Sequence, residues 1–478
     1  MELKKLFIAM MAVSTVAMTG CGSDDDDNNN SGTTTPTEEK CATVGTKSNE
    51  TYTIGENALP ICDLSGVISE DATLTGDFVY RLNGYVTVGN GSDEITSKAA
   101  VNSVTLTVNE GVQFRSSGRG SLIISRGSKL MANGTAANPI VMSSADFNNE
   151  GQGEWGGLVM QGYAKNNQCG EGSVAEICNV ADEADTGFHG GNDDADNSGS
   201  VKYLIVAEGG FEIGPDEEVN GITLHSVGYG TTLENIMVFN NADDGIEFFG
   251  GAANVKNLIL VDNGDESIDW DDGYRGNIQY ALVRQGLVHK GDHGIEADNA
   301  GLSNKATPVS KPTLANVTFQ QNSVGADDLF RFKLGTGGEL VNIAADGYSE
   351  CVRLEHPESG ANTDGELTLT NVLLECDAYE GGSFLTLKDG ALAENITGVP
   401  TAATTVELGN AFEVTGDAAA TLDSAAALNS ANASTEFFDA AGASFIGAVN
   451  PTVTAAESAW WNWAAAVLPE AFESSEAK

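Results

Sequence analysis

The chain has 478 residues, is 41% hydrophobic, and carries 69 Asp and Glu against 23 Lys and Arg, a formal charge of −46. That composition is globular rather than disordered, and the length suits one large domain or several ordinary ones. So negative a chain repels nucleic-acid phosphates, which excludes nucleic acid as a partner, and it attracts divalent cations.

The chain opens with MELKKLFIAMMAVSTVAMTGC, a basic start at Lys4 and Lys5, a short apolar stretch, and small residues before Cys21. It reads as a signal peptide over residues 1–20, too short to span a membrane. The ending MTGC resembles the lipobox of bacterial lipoproteins, which implies lipidation at Cys21; Gly22 in place of Asp then points to the outer membrane, on either its periplasmic or its cell-surface side. Removing residues 1–20, with Lys4, Lys5 and Glu2, leaves −47 on the mature chain. Residues 21–40, including SDDDDNNNSGTTTPTEEK, lack large apolar side chains and form a disordered acidic tether.

From residue 41 the pattern changes to short β-branched runs punctuated by Gly and Asn: VTLTVNEGVQF from Val104, SLIISRGSKLMA from Ser121, PIVMSS from Pro139 and GGLVMQG from Gly156. A polar loop near 164–200 interrupts them and contains Cys169 and Cys178. Within it, NDDADNSG from Asn192 places Asp194, Asp196 and Ser198 at alternating positions. Ile205 stands where an EF-hand would require Glu, so a Gly/Asn-rich turn is the better reading. Cys41, Cys62, Cys169, Cys178, Cys351 and Cys376 make an even set in an exported chain, which predicts disulfides, with nearest-neighbour pairing one connectivity among several.

Further on, strand-like runs each open on Asn, at Asn235, Asn257, Asn277, Asn316, Asn342 and Asn371, spaced by 22, 20, 39, 26 and 29 residues. Repeats of this length without amphipathic helices indicate a solenoid built of strands. The expected fold is therefore all-β: a parallel β-helix over residues 41–450. Residues 451–478 follow as a cap and tail, in which SAWWNWAAAVLPEAF forms a short helix over the open end. The three tryptophans there, Trp460, Trp461 and Trp463, read as capping core.

The strings GTAANPIVMSS, EWGGLVMQGYA, SVGYGTTLENIMV, DDGIEFFGG, DESIDWDDGYRG and FIGAVNP resemble those of bacterial lipoproteins and secreted proteins with a right-handed parallel β-helix of the pectin-lyase-like type. The resemblance runs from about Leu74 to Trp463 and implies the fold, without carrying an activity.

Aligned by their apolar residues, DDGIEFF, DESIDWD, DHGIEAD, DDLFRFK and SECVRLE share one register, preceded by GITLHSV. Alternation turns Leu224, Ile246, Ile268, Ile295, Phe330 and Val352 inward, with Phe248, Trp270, Ala297, Phe332 and Leu354 two residues on. Outward go His225, Glu247, Asp269, Glu296, Arg331 and Arg353, then a second row of Phe249, Asp271, Asp298, Lys333 and Glu355. Rungs ~4.8 Å apart make a file of carboxylates. Two charges at that distance repel by about 3 kcal/mol at an effective dielectric of about 20. A calcium ion among Glu247, Asp265, Glu266, Asp269, Asp271, Asp272 and Glu296 relieves that repulsion, as does a retained proton or splaying into water.

The leading functional expectation is a rigid binding module anchored to the outer membrane, loaded with Ca2+ and presenting its polar wall to an acidic polysaccharide. The rival is a polysaccharide lyase or hydrolase, with Asp269, Glu296, Arg331 and Arg353 as catalytic candidates and His293 as a base. RFK at Arg331 resembles the hydrolases' basic motif only loosely, and their full set of Asp and His-Gly is missing, which tilts the reading away from an enzyme. A third expectation is an accessory partner of an outer-membrane transporter.

Overall fold

The computed structural model describes residues 39–472 apart from 55, 146–150, 215–217, 300–302, 323–327, 362–365, 378–382, 403–404, 410–411, 416–427, 429–435 and 453–459. Residues 1–20, expected as a signal peptide, Cys21, nearly all of the expected tether over 21–40 and most of the Ala-rich stretch from Thr401 to Asn432 lie outside the described residues.

Twenty-six strands join one sheet, and beyond the first hairpin its ladders run parallel, strand over equivalent strand of the next coil. One wall stacks Ser121–Ile124, Leu158–Gln161, Ile222–His225, Ile246–Phe249, Ile268–Asp271, Ile295–Ala297, Asp328–Phe332, Glu350–Glu355 and Leu385–Lys388. A second ladder of longer strands runs from Gly199–Ala207 through Thr232–Phe239, Asn254–Val261, Asn277–Gln285, Thr313–Gln321 and Gly338–Tyr348 to Leu367–Cys376. This is the parallel β-helix that the repeat spacing predicted.

Each long strand is bent at an interior non-glycine residue with positive φ, including Asn235 (56°), Asn257 (59°), Asn316 (58°), Asn342 (59°) and Asn371 (54°). Asn tolerates this left-handed conformation because its short amide bonds locally. Here Asn257 Nδ2 donates to Asn235 Oδ1 at 3.1 Å, and Asn371 Nδ2 to Asn342 Oδ1 at 3.0 Å, so the bends stack as an amide ladder. Asn277 does not belong to that ladder: Tyr280, with φ of 62°, holds the bend on its coil. Asn277 instead opens the strand and donates to Asn254 Oδ1 at 2.7 Å.

The coil interior is filled by the inward columns. Ile246, Ile268, Ile295, Phe330 and Val352, and Phe248, Trp270, Ala297, Phe332 and Leu354, are all fully buried in one cluster. Three disulfides follow nearest-neighbour pairing: Cys41–Cys62, Cys169–Cys178 and Cys351–Cys376. An antiparallel hairpin, Gly45–Ile54 with Asn57–Ile68, covers the first coil.

The short C-terminal helix, Asn462–Ala465, covers a flank of the coils rather than their open end. The second half of each long strand carries outward apolar residues as well, Ile205, Met237, Ile259 and Leu282, and these pack beneath Trp461, Trp463, Ala464, Leu468 and Ala471. Two-sided burial needs such a cover, and the terminal segment supplies it. Trp463 meets Tyr203 edge to face at 5.4 Å and Trp461 stacks on Phe472 at 4.8 Å, so these tryptophans are core. No described helix is long and apolar enough to cross a membrane.

Candidate functional site: an acidic wall

The register brings the acidic phrases together on the first wall. Glu247 pairs with Asp269, Asp269 with Glu296, Glu296 with Arg331 and Arg331 with Arg353, all partly exposed. Two corrections concern the ends of the phrases. Thr223, not His225, lies beneath Glu247, while His225 lies beneath Phe249 and Leu224 beneath Phe248, because the coil before Ile246 enters its strand two residues earlier than its apolar pattern suggests. Asp272 leaves the file altogether. With φ of 56° its backbone turns the side chain away, where it accepts from Gln168 Nε2 at 2.6 Å and Asn166 Nδ2 at 3.3 Å under the Cys169–Cys178 loop.

The turns that precede these strands stack as well, with Gly245 N donating to Glu266 O at 2.9 Å and Ser267 N to His293 O at 3.2 Å. Stacked turns place Asp243 and Asp244 against Asp265 and Glu266, and these against Asp292 and His293. Carboxylate oxygens of Asp244, Glu247 and Asp269 lie within 4.8 Å of one another, as do those of Asp243, Asp244 and Asp265, and those of Asp265, Glu266 and Asp292. Asp244 therefore joins two groups of three and is the hub that sequence reasoning missed. The same alignment held the signal, since Asp243 and Asp244 precede Gly245 as Asp265 and Glu266 precede Ser267.

Crowding shows in the acidities. Burial first, and then Glu266, Asp243, Asp269 and Glu247, push the Asp244 carboxyl well above its ordinary range. Burial and the neighbouring Glu296, Glu266 and Asp298 do the same for Asp269, against a pull from Lys333. Burial also lifts Asp271, raises Asp265 to about 6 with help from Glu266 and Glu296, and raises Asp298 to about 8 and Asp328 to about 7. Such a set can hold protons near neutral pH or share a divalent cation.

The basic half of the wall is already engaged. Arg331 Nη1 lies 2.8 Å from Glu296 Oε1 and its Nε 3.3 Å from Glu355 Oε1. Arg353 Nε lies 2.9 Å from Asp328 Oδ2, and Lys333 bridges Glu296 and Asp298. His293 is buried with Nδ1 2.5 Å from Glu266 Oε1 and Nε2 3.7 Å from Asp328 Oδ2. Burial pulls its imidazole down, but Glu266, Asp292 and Glu296 outweigh that and raise it, so His293 serves as a counter-ion rather than a free base. Asp194, in the NDDADNSG turn, is paired with Lys165 at 2.9 Å and Arg275 at 3.0 Å. A cleft among Ala42, Asp71, Thr73 and Thr105 belongs to the N-terminal coils, outside this wall.

Comparison with curated proteins and with solved structures returned no match. The model of the pectate-lyase-like beta helix domain matches residues 66–426, which span the stacked coils and the whole acidic wall, and so point to a polysaccharide-related role. On that match and on the parallel ladders, the chain belongs to the pectate-lyase-like beta helix family.

Proposed function

We propose that the protein is a calcium-loaded binding module for acidic polysaccharide, held at the outer membrane by a lipid on Cys21. One observation carries the reading: Asp244 joins two carboxylate triplets, and the charged groups acting on it are all acidic. An all-oxygen donor set suits calcium, which takes about 6–8 oxygen ligands. Among the described residues of this wall, Arg331, Lys333 and Arg353 are engaged by Glu296, Glu355 and Glu350, so an anionic glycan meets no spare cation there. A divalent cation between wall and glycan supplies the missing positive charge, and a straight wall of rungs lies parallel to a linear polymer.

The test is sedimentation of the soluble domain with polygalacturonate and, separately, with a neutral glucan. Expected is retention on the uronate polymer in calcium, weakened at least tenfold by chelator and by Asp244→Asn or Asp269→Asn. Equal retention with chelator, or preference for the glucan, overturns the proposal. Asp298 and Asp328, at about 8 and about 7, favour a second reading, since a carboxyl that keeps its proton at neutral pH can act as a general acid. Unsaturated uronates or new reducing ends in the same incubation would convert the binder into a lyase or a hydrolase. The anchor is checked by growth with labelled fatty acid: label in the wild-type protein that vanishes in Cys21→Ser is expected, and label retained by the variant rejects it.

A further inference from the structure

Away from the acidic wall, the loop between residues 164 and 200 folds back over the earlier coils as a small antiparallel hairpin, Ile177–Ala181 with Phe188–Gly191. Its turn carries Asp182 and its return strand carries His189. Both land on His225, the last residue of Ile222–His225, which sits in the outward row between Gln161 and Phe249. The rings of His189 and His225 are 4.7 Å apart, and His225 also stacks on Phe249 at 4.7 Å. All three polar side chains are shut away from solvent, with 0% of the Asp182 side chain exposed.

The distances do not describe a hydrogen-bonded network. His189 Nε2 is 3.8 Å from Asp182 Oδ1, and His225 Nε2 is 3.8 Å from Asp182 Oδ2, both beyond hydrogen-bond reach. Asp182 Oδ1 and His225 Nδ1 are buried without a hydrogen-bond partner. Among the described residues, no Lys or Arg nitrogen lies within 4.0 Å of the Asp182 carboxylate. The Arg126 guanidinium, which feels the Asp182 charge, is spent on the carbonyls of Gly91, Cys178 and Asp93. A buried carboxylate facing two imidazoles at this separation is costly unless a cation stands between them.

We infer that Asp182, His189 and His225 form a buried site for a divalent transition-metal ion of the zinc class, which ties the loop to the wall. Donors about 2.0–2.1 Å from a tetrahedral ion sit about 3.3 Å apart; here one ligand atom from each residue lies within 4.8 Å of the other two, and each Nε2 is 3.8 Å from one oxygen of Asp182. Two nitrogens and one oxygen select zinc or its neighbours over calcium. Outer-shell partners orient two of the donors: Gln161 Nε2 and Thr186 Oγ1 each bond Asp182 Oδ2 at 2.5 Å, and His189 Nδ1 bonds Ser226 Oγ at 2.8 Å, leaving its Nε2 toward the carboxylate, while the stack on Phe249 holds the His225 ring. The fourth position is open to water or to the second oxygen of Asp182.

The test uses the disulfide-bonded soluble chain, refolded with zinc or with cobalt and then desalted in excess calcium, which displaces ions from the acidic wall but not from nitrogen donors. Expected are one zinc per chain by elemental analysis and the intense visible absorption of four-coordinate cobalt. Both should fall at least tenfold in His189→Gln and in His225→Gln, and persist in Asp269→Asn. A natively folded wild-type chain that keeps neither zinc nor cobalt overturns the inference, as does a cobalt spectrum unchanged in a folded His189→Gln variant. Should both histidine variants fail to fold, the wild-type measurements alone decide.

Discussion

Trp270→Ala is expected to destabilise the protein by about 3–5 kcal/mol, the cost of removing a large buried side chain whose space the surroundings cannot close. Trp270 is fully buried in the inward column between Phe248 and Ala297, and its ring centroid lies 6.3 Å from that of Phe332. The neighbouring Ala297 is small, so the indole fills volume that its own rung does not enclose. Its N–H reaches Thr336 Oγ1 at 2.9 Å, binding two coils together at a point where each coil otherwise touches only its neighbours. Trp270→Phe keeps most of the apolar volume and leaves Thr336 its own bond to Gly337 O, so a loss of about 1–2 kcal/mol is expected. Urea unfolding followed by circular dichroism measures both. A loss under about 1 kcal/mol for the alanine variant would mean that the column is not packed as described. Because Trp270 points inward, polygalacturonate retention by Trp270→Phe should match the wild type, whereas a sugar platform would lose it.

The second large effect is in pH. In the unfolded chain these aspartates titrate near ~3.9. In the fold, burial and like charge raise Asp265 to about 6, Asp328 to about 7 and Asp298 to about 8, with Asp244 and Asp269 raised well above the ordinary range. The native state therefore binds more protons, and the stability these groups contribute is complete below their unfolded values and is lost as pH rises through 6, 7 and 8. His293, also raised, acts with the same sign, while Lys333 and Arg331, both raised, stay charged throughout and soften the repulsion. Asp194 works the other way, because Arg275 and Lys165 outweigh the push of burial and lower it, but its effect falls below the unfolded aspartate range. In chelator, the melting temperature should fall by about 3 °C between pH 5 and pH 9, as a repulsion on the order of 3 kcal/mol develops across a fold of this size. Calcium at about a hundredfold excess over its Kd should return about 2.7 kcal/mol at pH 8. Asp269→Asn should flatten the pH profile and remove the calcium response together. A melting temperature that climbs to a plateau above pH 7, deaf to calcium, would sink the cation reading.

Much of the wall was legible because a parallel ladder with period two carries its register in the apolar residues alone. Ile246, Ile268, Ile295, Phe330 and Val352 had to face one interior, so Glu247, Asp269, Glu296, Arg331 and Arg353 had to share the other side. The same reasoning failed where apolar pattern and backbone part company. His225 was set one pair of residues out of line, since ITLH offers two registers of equal apolar quality. Asp272 was counted with its neighbours until a left-handed turn carried it to the other side of the loop. Asn277 opens its strand as the spacing predicts, whereas Asn235, Asn257, Asn316, Asn342 and Asn371 lie inside theirs, at the bend that Tyr280 makes on the Asn277 coil.

The amino-acid order by itself determined the repeat, the inward columns and the acidic file, because each depends on residues within one coil and on the same residues in the next. Only the tertiary structure decided which side chains meet across long stretches of chain: Asp244 as hub of the carboxylates, the terminal tryptophans on a flank, and Asp182, His189 and His225 around one buried point. Those meetings depend on how far loops and terminal segments fold back over the coils, a distance that no local periodicity encodes.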